Sequence, residues 1–193
     1  MGRLIYSTIA SLDGYVEDAQ GRFDWAKPDD EVFGFLNDLE RSFGTSLCGR
    51  RMYEVMVYWE TAPTDESVAS LERDFTQMWR AQEKVVYSST LQSASSTRTR
   101  IERRLDPETV RGLKRSTPKD ISIAGATLAS QAISAGLVDE FHLSVAPVIV
   151  GGGKPWLPKG VYVNLELIDS HRFASGFVFL KYRPAEGKTG TSQ

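Results

Sequence analysis

Three short stretches bring glycine, hydroxyl and basic side chains together: Cys48-Gly49-Arg50-Arg51-Met52, Tyr87-Ser88-Ser89-Thr90 and Ala124-Gly125-Ala126-Thr127. Each follows a run of β-forming residues, so each is expected at the carboxyl end of a strand. Glycine lets the backbone approach a ligand, while hydroxyl and guanidinium groups donate hydrogen bonds. The first and third stretches also lead into helices, whose opening N–H groups are unpaired and carry partial positive charge. The chemistry on offer is anion binding, with phosphate the natural guest. One glycine at a strand end usually only makes a turn; the combination at three ends carries the reading.

Other chemistry-bearing residues are more scattered. Asp13 lies in a turn pair with Gly14, where its carboxylate either bonds nearby backbone N–H groups or orients a ring N–H donor of a substrate. Trp25 either stacks on a planar substrate or closes an edge of the core. Asp29 and Asp30 stand where acids complement a helix dipole. His142 falls within a strand pattern and reads as a packed or surface imidazole, and His171 falls in a turn region. With Cys48 as the sole cysteine and only two histidines, no zinc-type ligand set and no intrachain disulfide is implied. Neither a Gly-x-Ser-x-Gly element nor a Gly-x-x-x-x-Gly-Lys-Ser/Thr loop occurs. Gly151-Gly152-Gly153-Lys154-Pro155 reads as a loop, because Pro155 and Pro158 forbid an immediate regular helix.

The elements that must position these residues alternate. Strands are expected at 4–10, 45–48, 84–88, 99–103, 120–124 and 140–150. Helices are expected from Asp29 or Asp30 to Phe43 and at 51–56, 67–81, 107–116 and 128–135, from apolar spacing, Pro107 near a helix start and Gly136 at a helix end. Two alternating strands, 161–168 and 176–182, follow with no helix between them. The pattern is that of a three-layer α/β fold: a mostly parallel sheet, helices on both faces and an antiparallel C-terminal hairpin on one edge. One domain is expected over residues 1–183, with 184–193 as a frayed tail.

Composition narrows the function classes. The chain has 41% hydrophobic and 25% charged residues, an ordinary globular balance. A formal net charge of -2 argues against a nucleic-acid partner. The only basic cluster, Arg98, Arg100, Arg103 and Arg104, reads as a solvated strand and loop edge. No run approaches the ~20 apolar residues that span a bilayer, and the N-terminus carries no signal-peptide pattern, so no membrane partner and a cytoplasmic location are expected.

The motifs, in order, are Ser11-Leu12-Asp13-Gly14-Tyr15, Gly21 to Trp25, Gly49-Arg50-Arg51-Met52-Tyr53-Glu54, Val86-Tyr87-Ser88-Ser89-Thr90-Leu91, Ile123-Ala124-Gly125-Ala126, Gly136-Leu137-Val138-Asp139-Glu140 and Ala146 to Pro155. In this set the chain resembles the dihydrofolate reductase-like family that includes the carboxyl-terminal reductase domain of the bifunctional riboflavin-biosynthesis protein. The resemblance implies NADPH as cofactor, a small heterocycle as hydride acceptor, and a homodimer built on one edge or face of the sheet. It also implies that Gly49, Arg50, Arg51 and Met52, with Gly125, Ala126, Thr127 and Leu128, cradle the pyrophosphate. Ser88, Ser89 and Thr90 would then lie by the adenosine 2′-phosphate. Family members often carry Arg where Ser89 stands, which leaves Arg50 or Arg51 to distinguish that phosphate. Dihydrofolate reductases proper hold the pterin on a helix carboxylate. Among Asp29, Asp30, Glu31 and Asp38 none matches it by spacing from Gly49, which points away from folate.

Overall fold

The computed structural model describes residues 1–185. Along the chain the elements are β1 (Leu4–Ser11), β2 (Tyr15–Glu17), α1 (Asp30–Glu40), β3 (Phe43–Gly49), α2 (Arg50–Met56), α3 (Tyr58–Thr61) and α4 (Ser70–Ala81). β4 (Glu83–Tyr87), β5 (Thr99–Glu102), α5 (Pro107–Ser116), β6 (Asp120–Ala124) and α6 (Ala126–Ser134) come next. β7 (Glu140–Ala146), β8 (Lys154–Pro155), β9 (Leu165–Arg172) and β10 (Val178–Pro184) complete the order.

The main sheet has eight strands in the order β5-β4-β3-β6-β1-β7-β10-β9, and a two-stranded ribbon pairs β2 with β8. All pairs from β5 to β7 are parallel, whereas β10 runs antiparallel to both β7 and β9. β1 sits in the middle, and Leu4, Ile5 and Tyr6 are fully buried, as expected of a strand covered on both sides. One face carries Leu4, Tyr6, Leu47 and Ile123 against α6 and Val110 of α5. The other carries Phe173, Phe177 and Phe179 against Val32, Phe35 and Leu36 of α1. Three layers result, as the alternation of elements implies.

Local chemistry sets the element ends. Asp29 caps α1, its carboxylate accepting from Val32 N at 2.9 Å. Asp106 caps α5 in the same way through Thr109 N, with Pro107 at the first helical position. The expected run of α1 to Phe43 is too long. The helix stops at Glu40, because Phe43 is drawn into the sheet and buried as the first residue of β3.

Further boundaries move for physical reasons. β7 ends at Ala146 rather than 150, since Pro147 has no N–H to give a ladder. β9 begins only at Leu165 but continues to Arg172, which puts His171 in a strand, stacked on Phe35 with ring centroids 5.4 Å apart. The short helix α3 and the β2–β8 ribbon have no counterpart in the sequence reading, and Lys154 and Pro155 are strand residues rather than loop. At the C-terminal end, Pro184 pairs with Leu165 and Ala185 N donates to Asn164 O at 2.8 Å, so both belong to the fold. The remainder of the expected tail, 186–193, lies outside the described residues. No helix among the described residues is long and apolar enough to cross a membrane.

At the amino-terminal ends of the central strands lies a charged network. Glu140, its side chain 7% exposed, receives His142 Nε2 at 3.0 Å, Lys181 Nζ at 3.1 Å and the guanidinium of Arg3, which also pairs with Asp120. Between the sheet and helices α2 and α4, Ser7, Ser46 and Ser122 from three neighbouring strands, with Lys84, Gln82 and Glu40, line a small, partly open pocket of about 70 Å³.

Candidate functional site

At the carboxyl ends of β3, β4, β5 and β6 the backbone opens into a cleft of about 420 Å³, within the range of about 300–1,000 Å³ usual for small-molecule sites. Parallel order dictates its place. β6 lies between β1 and β3, so the loops after β3 and β6 emerge side by side. Gly49, Arg50, Arg51 and Met52 line it from the start of α2, and Gly125, Thr127 and Leu128 from the start of α6. Ser88 and Ser89 line it from the end of β4. Two residues of the expected set stand back: Ala126 is buried beneath the turn, and Thr90 reaches the cleft only as the partner of Arg50.

Gly125 is required where it stands. Its φ of +89° is a conformation L side chains rarely adopt, and it forms the N-cap of α6 with no side-chain cap. The first N–H groups of α6, beside the cleft-lining Gly125 and Thr127, therefore carry no side-chain cap, as an anion site needs. Gly153 shapes the opposite lip. A Cβ there would lie 2.0 Å from Glu17 O, so only glycine lets β8 close on β2 and bring Lys154 into the cleft wall.

The arginines expected to hold phosphate are already engaged. Arg50 donates to Glu54 Oε1 at 2.7 Å and Thr90 Oγ1 at 2.8 Å. Arg51 pairs with Glu17 at 3.1 Å and donates to Gly21 O at 3.1 Å. Sequence reading missed Arg103, Arg104, Leu105, Gln131 and Lys154, which also line the cleft. Of the basic cluster read as a solvated edge, Arg98 and Arg100 fit that description, paired with Glu83 and Glu102. Arg103 and Arg104 do not. They follow β5 at the same offset as Ser88 and Ser89 follow β4, and that parallel offset was the available signal.

Asp13 bridges two backbone segments: Oδ1 accepts from Val150 N at 3.1 Å and Oδ2 from Gly151 N at 2.8 Å. Desolvation pushes its carboxyl up, but hydrogen bonds from Ser11, Val150 and Gly151 outweigh it and hold the pKa below the ordinary range. The turn after β1 is thereby tied to the glycine loop before β8. Replacing Asp13 by Ala is expected to raise amide hydrogen exchange at Val150 and Gly151 specifically, while Asp13→Asn, which keeps one acceptor, gives a smaller rise. Unchanged exchange at both amides in Asp13→Ala would contradict this clamp. Trp25, in a short 3-10 turn over Asp24–Ala26, donates from Nε1 to Arg22 O at 3.2 Å and packs against the cluster of Val32 and Phe173. It does not line the cleft described above. His142 is buried on Glu140 at the other end of the strands, and no three His, Cys, Asp or Glu side chains among the described residues are grouped to hold a metal ion.

A glycine-built cleft at the carboxyl ends of a mostly parallel sheet, with an antiparallel pair on its edge, defines a dihydrofolate reductase-like architecture. Residues 3–179 match the model of the RibD C-terminal domain, and the chain belongs to that family. An uncharacterized protein of Bacillus subtilis (strain 168), YyaP, is 32% identical over 184 residues, spanning 93% of this chain and 94% of its own. Among solved structures, a putative riboflavin biosynthesis protein from Shewanella sp. PV-4 shares the fold with a TM-score of 0.74 at 17% identity, covering 96% of this chain and 100% of that one. A pyrimidine reductase-like protein from Corynebacterium diphtheriae gives 0.70 at 16% identity, with 96% and 93% covered. The Thermotoga maritima diaminohydroxyphosphoribosylaminopyrimidine deaminase/5-amino-6-(5-phosphoribosylamino)uracil reductase gives 0.66 at 14% identity; the match covers 95% of this chain and 57% of that protein.

Proposed function

We propose that the chain is an NADPH-dependent reductase that passes hydride to a small planar heterocycle or a ribosylamino-pyrimidine. The observation that carries this reading is the single cleft shared by Gly49–Met52, Ser88–Ser89, and Gly125, Thr127 and Leu128. Its uncapped helix start, glycine backbone and hydroxyls suit a pyrophosphate flanked by a nucleoside. Membership of the RibD C-terminal domain family supports a reductase, since a member of this fold is named as a uracil reductase.

NADPH would supply the hydride, so the protein's task is alignment and exclusion of water. Gly125 and the first turn of α6 would fix the pyrophosphate. Arg51, braced on Glu17, would hold the β2–β8 ribbon over the cofactor, and the Asp13 bridge would fix the glycine loop beside the acceptor. A nucleotide-binding protein without turnover is the second reading. It is favoured by one feature: no Asp or Glu among the described residues lines the cleft, and the carboxylate of Asp13 is occupied by backbone donors.

Fluorescence titration with NADPH followed by oxidation assays over pteridines and pyrimidines tests both. Saturable binding and steady NADPH oxidation with a ribosylamino-pyrimidine, but not with dihydrofolate, is the expected result. Binding without oxidation across the panel would favour the second reading, and no binding would overturn both.

A further inference from the structure

Five cationic side chains line the cleft: Arg50, Arg51, Arg103, Arg104 and Lys154. Arg50 and Arg51 are held by Glu54, Thr90, Glu17 and Gly21, as described. Arg103 donates from Nη1 to Ser88 O at 3.2 Å and Leu91 O at 2.8 Å, so it serves as a strut for the loop after β4. Arg104 and Lys154 form no ion pair and donate no side-chain hydrogen bond among the described residues. Arg104 follows β5 at the edge of the sheet, and Lys154 lies on the separate β2–β8 ribbon, which Glu17 ties to Arg51 at the start of α2.

The hydroxyls sort in the same way. Ser88 is buried, its Oγ accepting from Thr90 N and Leu91 N, and Thr90 Oγ1 accepts from Arg50. Of the three hydroxyls in this loop, only Ser89 is exposed and without a hydrogen-bond partner among the described residues. Its loop lies directly beside Arg104, because Ser88 N donates to Glu102 O at 2.9 Å and Arg103 ties the two segments together. An unpaired guanidinium beside a free hydroxyl is a donor set for a phosphate monoester, a dianion that takes several charge-assisted bonds from a planar fork.

We propose that Arg104, assisted by Ser89, holds the 2′-phosphate of the dinucleotide and sets the preference for NADPH over NADH, with Arg103 as the residue that positions the loop. The inference rests on the dinucleotide reading above, but differs from the expectation drawn from the sequence, which, with serine at position 89, left that task to Arg50 or Arg51. Its physical basis is occupancy. Arg50 and Arg51 must break bonds to carboxylates before they can serve a phosphate, and Arg104 need break none.

The test is parallel titration of the wild-type protein and the single variants Arg104→Ala, Arg104→Lys, Arg50→Ala and Arg51→Ala with NADPH and NADH, each checked for an unchanged melting temperature. Losing one charge-assisted contact should weaken NADPH binding by about ten- to hundredfold in Arg104→Ala while leaving NADH binding unchanged. Arg104→Lys, which keeps the charge but not the fork, should lose less. A selective NADPH loss in Arg50→Ala or Arg51→Ala with none in Arg104→Ala would overturn the assignment and leave the cofactor reading intact. Equal wild-type affinity for the two dinucleotides would overturn it as well. If the wild-type protein bound neither, the cofactor reading itself would fall, and this assignment with it. Adenosine 2′,5′-bisphosphate and AMP as probes give a second readout: Arg104→Ala should weaken only the bisphosphate.

Discussion

Glu140→Gln is expected to destabilise the protein by about 2–3 kcal/mol at pH 7, read by urea unfolding. The carboxylate is nearly enclosed and serves three donors, on Arg3, His142 and Lys181. Removing one partner of an enclosed pair leaves charge uncompensated and costs about 3–5 kcal/mol. The lower figure applies because half-exposed Arg3 keeps Asp120 and reaches water, and Lys181 is a quarter exposed. Desolvation pushes the Glu140 carboxyl up, but the bonds from His142 and Lys181, with the charges of Lys181 and Arg3, outweigh it and hold the pKa below the ordinary glutamate range.

The sign of the pH dependence follows. A depressed carboxyl contributes stability that is complete above its unfolded pKa and lost as pH falls through the folded one. The gap between wild type and Glu140→Gln should therefore be full at pH 7 and narrow below about pH 4.5. Burial lowers the pKa of His142 despite its bond to Glu140, so the wild type also loses stability as pH falls below the usual histidine value of about 6.5. A gap that stayed constant down to pH 3 would show that the ionised carboxylate is not what holds this network.

Glu40→Gln should act in the opposite direction. Glu40 ends α1 at the small, partly open pocket, and burial raises its pKa to about 7, only partly relieved by Gln82 Nε2 donating at 3.3 Å. A raised carboxyl has its stability intact below the unfolded pKa and loses it as pH rises through the folded one. The wild type therefore pays for ionising Glu40 between about pH 4.5 and 7. Glutamine keeps the acceptor for Gln82 and carries no charge. The variant should match the wild type at pH 4 and exceed it at pH 8 by about 1–2 kcal/mol, discounted from the full shift because the side chain is only partly enclosed. Thermal melts at the two pH values decide the matter. A variant less stable than wild type at pH 8 would mean that the carboxylate has a cationic partner in solution.

Much of this was legible in sequence. Asp106-Pro107 announces α5 through its cap, Leu4 to Ala10 and Asp120 to Ala124 announce strands through β-forming side chains, and the glycines at 49 and 125 mark the ends where the cleft opens. Those signals are local. The features that escaped depend on pieces far apart in the chain meeting. Lys154 and Pro155 are a strand only because Gly153 lets them approach Glu17, and nothing within 151–155 encodes that meeting. Arg103 and Arg104 show their charge in the sequence but not their address, which depends on β5 pairing parallel with β4. The engagement of Arg51 by Glu17 was hidden in the same way, whereas Arg50 and Glu54 stand only four residues apart on α2. Composition shows that a guanidinium exists, not whether it is already in use.

The central position of β1 has a consequence for how the molecule is made. Its two neighbours are β6 and β7, so Leu4 must find Ile121 and Ser11 must find Ala146 before the middle of the sheet exists. Contacts between residues so far apart fold slowly. At ~5–20 residues per second of synthesis, the apolar run Leu4, Ile5 and Tyr6 is out of the ribosome for several seconds or longer before either neighbour has been made. The half-sheet of β3, β4 and β5, whose members lie closer together in the chain, can assemble in that interval and offer its β3 edge to β6. The nascent chain must keep its first strand from pairing elsewhere, so yield on expression should respond to temperature and chaperone supply more than the stability of the finished fold suggests.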